Sequence, residues 1–158
     1  SEAIADHTAA IRLQPTKGIH WRNRGGARAQ ASDRRGAIRD FSTAIWLKPT
    51  DHMAYFNRGL FQTDRDWKIH DYTAAIHLKP DFREAYVNRG SEYMRQHRVD
   101  LAIADYRSAC RCPTANEASF RALSVAVLCK QFNLTVDAGQ MNLIVNLITN
   151  RAELTLFQ

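Results

Sequence analysis

Three asparagines recur in one setting. Asn23-Arg24-Gly25, Asn57-Arg58-Gly59 and Asn88-Arg89-Gly90 repeat a triplet at spacings of 34 and 31 residues. A carboxamide donates and accepts hydrogen bonds at once, so a row of them can hold a peptide backbone without reading its side chains. The competing reading is local, with each amide capping or bridging neighbouring helices. The arginine in each triplet needs a carboxylate wherever it is drawn out of water. An Asp followed by a ring keeps the same beat, at Asp6-His7, Asp40-Phe41, Asp71-Tyr72 and Asp105-Tyr106. Structural ion pairs are therefore expected between Arg24, Arg58 and Arg89 and Asp6, Asp40, Asp71 or Asp105, within a unit or across a unit boundary.

No other chemistry is assembled by the sequence. His7, His20, His52, His70, His77 and His97 are scattered. There is no Gly-rich phosphate loop, no His-Glu-x-x-His and no Ser or Cys elbow. No acid and base are placed together by the repeat, so no catalytic residue and no cofactor are expected, and the chain reads as not an enzyme. Cys110, Cys112 and Cys129 are odd in number, with one close pair, and do not read as a disulfide framework. Reduced thiols in a cytosolic protein are the expectation. Cys110 and Cys112 with His97 fall short of four ligands at finger-like spacing, so no metal site is expected.

The elements that must carry these residues are helices. Apolar or small residues recur at three and four, as in Ala37, Phe41, Ala44 and Ile45, and in Ala102, Ile103, Tyr106 and Ala109. First helices are predicted over 21–30, 55–62 and 86–96, and second helices over 36–47, 69–78 and 101–110. Pro15, Pro49, Pro80 and Pro113 close the units, because proline cannot donate the next helical hydrogen bond. Gly25, Gly59 and Gly90 fall mid-helix, where Gly costs about 1 kcal/mol against Ala. Close approach of the paired helix is the expected reason. A period near 34 with two helical runs per period marks a stacked helical array.

Composition sets the limits. The chain has 158 residues, 45% hydrophobic and 24% charged, with a net charge of +6. Of its 22 basic residues, 17 are Arg. The excess lies in residues 16–113, and residues 114–158 are neutral. No run of about 18 apolar residues occurs, so no membrane span is expected. No secretory signal is visible and there is no initiator Met, which reads as a processed or truncated chain with a cytoplasmic location.

These features resemble the tetratricopeptide repeat. Trp21, Gly25, Ala37, Phe41, Ala44 and Pro49 match its pattern in the first full unit. Tyr55, Gly59, Tyr72, Ala75 and Pro80 match in the next, and Tyr86, Gly90, Tyr93, Ala102, Tyr106 and Ala109 in the last. The resemblance covers about residues 1–115. It implies an all-α, right-handed solenoid of antiparallel helix pairs with a C-terminal helical cap. Residues 1–15 read as the second helix of a truncated repeat. Residues 16–51, 52–82 and 83–113 read as three repeats, and 114–158 as the cap. The sequence departs in carrying Arg24, Arg58 and Arg89 where the family has Leu. Gly59 to Asp71 is also three residues shorter than the matching steps, a missing turn expected near residues 63–68. Within the cap, helices are expected over 116–130 and 136–156, and Phe120 in the place of an opening aromatic. The apolar breadth of 141–148 means either a sandwiched helix or self-association through 137–157.

In the resembled family the first helices line a concave groove. The resemblance therefore implies a protein-binding scaffold, with a peptide or helical segment of a partner held in the groove by Asn23, Asn57 and Asn88. The same phase places Arg22, Met53, Phe56, Leu60 and Val87 on that wall, with Met53 and Phe56 suited as apolar anchors. Packing beneath the cap or a neighbouring helix is the alternative for those two. The carboxylate clamp of the family's cochaperones has Arg22 and Asn57 at two of its places, but Gly26, Glu84 and Asn88 hold the others without the needed charge. Most of the basic residues, such as Arg34, Arg35, Arg39, Lys68, Arg83, Arg98, Arg107 and Arg111, map to turns and second helices, the outer face. They leave an alternative function, electrostatic binding of nucleic acid or an anionic membrane, which no recognition motif accompanies.

Overall fold

Aspartate side chains set where several helices begin. Asp33 accepts from the Gly36 amide, Asp51 from Met53 and Ala54, and Asp64 from Asp66 and Trp67, satisfying amides that a helix start leaves without a partner. The computed structural model describes residues 2–131. Among them are eight α-helices and no strand: α1 (Glu2–Leu13), α2 (Gly18–Gln30), α3 (Arg34–Leu47), α4 (His52–Phe61), α5 (Arg65–Leu78), α6 (Arg83–Arg95), α7 (Val99–Arg111) and α8 (Glu117–Gln131). None of these helices is long and apolar enough to cross a membrane. The helix expected over 136–156 and the self-association expected through 137–157 lie outside the described residues.

The chain divides into two compact units between Ala85 and Tyr86. In the first, α1 packs on α2, α2 on α3, α3 on α4 and α4 on α5. Its core gathers Phe56, Tyr72, Ala75, Phe82 and Ala85. In the second, α7 packs on α8 around Met94, Ala102, Ile103, Tyr106, Val125, Ala126 and Cys129. Phe120 is 53% exposed, not an opening aromatic, because the buried face of α8 runs through Ser119, Val125, Ala126 and Cys129.

The repeated glycines admit the rings of the second helices. A Cβ on Gly25 would lie 2.7 Å from Phe41 Cε1, one on Gly59 2.8 Å from Tyr72 Cε1, and one on Gly90 2.7 Å from Tyr106 Cε1. Next to each glycine, the arginine forms a two-pronged pair with the Asp before that ring. Arg24 Nε and Nη2 donate to Asp40 at 2.8 and 2.8 Å. Arg58 reaches Asp71 at 2.9 and 2.7 Å, and Arg89 reaches Asp105 at 2.8 and 2.7 Å. Each pair lies within one helix pair, and Asp6 stays exposed. The bonds to Asp40 push the Arg24 pKa above its ordinary value, against the opposing pull of burial. A remaining nitrogen reaches the preceding second helix: Arg24 Nη1 donates to Thr8 Oγ1 at 3.3 Å and Arg58 Nη1 to Ser42 Oγ at 3.2 Å.

The missing turn lies earlier than residues 63–68. Helix α4 has 10 residues against 13 in α2 and α6, while α5 keeps the 14 of α3. Capping by Asp64 fixes the start of α5, so the loss falls on the end of α4. After α2 and α6 the chain turns through left-handed Ser32 (φ 62) and His97 (φ 57), with Asp33 N donating to Arg28 O at 2.8 Å and Arg98 N to Tyr93 O at 2.9 Å. After α4 it leaves through extended Gln62. Arg34 of α3 takes over the capping, donating to Phe61 O at 2.5 Å and Gln62 O at 2.6 Å.

Candidate functional site

In the first unit α1, α2 and α4 enclose a cleft of about 420 Å³, within the range of ordinary ligand sites. Arg22, Asn23, Gly26, Ala27 and Gln30 of α2 line it, with Met53 and Asn57 of α4 opposite and Ala3 and His7 of α1 at one end. The spacing on α2 is that of one helical face. That face is free because Arg24 and Gly25, one step round the helix, are turned into the packing against α3.

The wall is polar but almost uncharged. Among the described residues no carboxylate lines it. Arg22 Nη1 donates to Asp51 Oδ1 at 2.9 Å, the same oxygen that caps α4. Arg22 thus fixes α2 against the start of α4 while its side chain stays 21% exposed at the cleft. Beside Asp51, burial lowers the His52 pKa, helped by Lys79 and Arg22 and opposed by Asp51 and Asp81. His52 meets the Phe82 ring edge-on at 5.3 Å.

Among the described residues no hydrogen bond is made by the side chain of Asn23, Asn57 or Asn88. The local capping alternative therefore has no bond to support it. Asn23 is exposed and Asn57 half-buried, so their donors and acceptors are open to a ligand in the cleft.

The cleft brings together four of the residues expected at the binding site: Arg22, Asn23, Met53 and Asn57. Leu60 is 42% exposed on α4 but does not line the cleft. Asn88 and Val87 are half-buried on α6, in the second unit. Phe56 is a correction. It is 9% exposed and packs its ring on Phe82 at 4.8 Å and Tyr72 at 5.8 Å, so it is core and not an exposed anchor. Its burial comes from Phe82, in the turn before α6, which helical phase alone does not reveal. His7, Gln30 and Ala3 were not anticipated. Gln30 lies seven residues after Asn23, two turns along the same face. His7 takes the register of Phe41, Tyr72 and Tyr106, and a polar ring at that position was the available signal.

No protein-family model matches the sequence, and no curated protein matches it. Solved structures do. The TPR domain of Arabidopsis OM64 aligns with a TM-score of 0.65 at 21% identity, covering 71% of this chain and 95% of that one. A crystal structure of MamA aligns at 0.74 and 16% identity, covering 95% of this chain and 88% of that one. The first TPR of Spaghetti (RPAP3), bound to the HSP90 peptide SRMEEVD, aligns at 0.68 and 16% identity, covering 73% and 94%. This chain has the tetratricopeptide-repeat fold. The tetratricopeptide glycines and aromatics are the contacting pairs Gly25–Phe41, Gly59–Tyr72 and Gly90–Tyr106. Where the repeat ordinarily carries Leu, this chain has substituted an Arg–Asp pair.

Proposed function

We propose that this chain is a non-catalytic protein-binding module that receives a segment of a partner protein in the cleft of α1, α2 and α4. One observation carries the reading: the carboxamides of Asn23 and Asn57 face the same cleft and bond to nothing among the described residues. Polar groups kept open on a repeat surface serve ligands more often than stability. Met53 supplies an adaptable apolar contact beside them. Asn88, in the same register of α6, has the same role in this reading, with Val87 next to it. In this reading residues 1–15 act as a half-repeat and 16–51, 52–82 and 83–113 as whole repeats; of the cap expected over 114–158, residues 132–158 lie outside the described residues. The three free cysteines support a cytoplasmic setting. The test is affinity capture from native extract, comparing the wild type with Asn23→Ala/Asn57→Ala/Asn88→Ala and identifying partners by mass spectrometry. A partner lost by the variant, with circular dichroism unchanged, supports the cleft. Equal retention overturns it.

A second reading rests on Arg35 and Arg39. Both are exposed on α3, and neither forms an ion pair among the described residues. They form the nucleus of a basic outer face suited to nucleic acid or an anionic membrane. Salt dependence separates the two readings.

A further inference from the structure

Two glycines stand side by side in the middle of α2, and only one of them is accounted for by packing. Gly25 makes room for the Phe41 ring. Gly26 makes room for nothing among the described residues: a Cβ there would meet none of their heavy atoms within 4 Å. Nor does its backbone call for glycine, because no glycine in the described chain has a positive φ. Mid-helix Gly without such a reason only weakens the helix. Yet Gly26 lines the cleft, on the same face of α2 as Asn23 and Gln30 and across from Asn57.

We infer that Gly26 keeps the cleft floor bare so that the main chain of an extended partner segment can lie directly on α2, its peptide groups bonded by Asn23 and Asn57. This rests on the cleft reading above and narrows its ligand from any segment to an extended one. A bound helix would not use these features. Its peptide groups are bonded along its own axis, and its side chains hold its backbone away from a neighbouring surface. An extended strand presents an unpaired N–H and C=O at each residue. Neutral carboxamides suit both groups at once, whereas a charged side chain suits one. A β-carbon at Gly26 would stand where that backbone must pass.

The test uses a displayed pool of random dodecapeptides selected on the wild-type chain. Selected peptides are then titrated into wild type, Gly26→Ala and Asn23→Ala/Asn57→Ala. Gly26→Ala is expected to melt about 2–4 °C higher, since Ala favours the helix, and to bind the peptides about tenfold more weakly or worse. N-methylation at one or two peptide nitrogens is expected to abolish binding where Ala replacement at the same residues is tolerated. Peptides that need Asn23 and Asn57 yet bind Gly26→Ala as well as wild type overturn the inference and leave the cleft reading standing. So do peptides that become helical when bound. A pool that yields no peptide sensitive to the Asn pair overturns both. A lower melting point for Gly26→Ala also overturns the inference, because it gives the glycine a packing role.

Discussion

Arg58 holds Asp71 through two nitrogens, and the Asp71 side chain is wholly enclosed. Burying both charges costs several kcal/mol each, so the pair has little net value while either half alone is a liability. Arg58→Leu, which restores the residue usual in the repeat, is therefore expected to destabilise the fold by about 3 kcal/mol. Arg58→Leu/Asp71→Leu is expected to return most of that loss. Urea denaturation of the two singles and the double closes the cycle, and additive losses would sink the argument. His52 gives a second prediction at this scale. Its pKa is held below the ordinary 6.5, first by burial, so the folded state binds fewer protons there than the unfolded chain. Its contribution is intact above the unfolded pKa and is lost as pH falls toward the folded one. Melting curves between pH 7.5 and 5 should show a drop that is smaller in His52→Gln. An identical drop in both would assign it elsewhere.

A helix end shows where sequence stops being informative. Helix α4 lacks the left-handed turn that closes α2 and α6, and the guanidinium of Arg34 covers its last carbonyls instead. Arg34→Ala is expected to cost about 1 kcal/mol and to speed hydrogen exchange at Leu60, Phe61 and Gln62, with the end of α2 unaffected. Unchanged exchange at those amides would show that water caps α4 equally well. The repeat itself was legible because its signals are local and recurrent: a glycine, a ring and an Asp at fixed offsets. The end of α4 was not, because its cap comes from a residue 27 positions upstream. The same division runs through the cleft. Helical phase found Arg22, Asn23, Met53 and Asn57, each placed by its own helix. It misplaced Phe56, which Phe82 buries, and it passed over His7, whose position depends on how α1 meets α2.

For the whole molecule the question is what a charge of +6 is for. Much of the arginine is neutralised internally. Arg24 and Arg28 share Asp40, while Arg58, Arg89 and Arg22 pair with Asp71, Asp105 and Asp51, and Arg34 caps α4. These side chains are structural, and because each pair removes a positive and a negative charge together, the net excess rests on the remaining residues. The cleft offers one guanidinium, Arg22, amid amides and a thioether. That guanidinium is already paired with Asp51, so binding there should change little from 50 to 200 mM salt. Binding through Arg35, Arg39 and their neighbours to a phosphate polymer would release several counterions, and six or more contacts would lose about a thousandfold over the same range. The slope of log affinity against log salt, measured with the captured partner, therefore reads the number of charges engaged. A slope near zero, untouched by Arg35→Gln/Arg39→Gln, is the expected result. A steep slope that flattens in the α3 double variant would move the site to the outer face and leave the unpaired asparagines without a ligand.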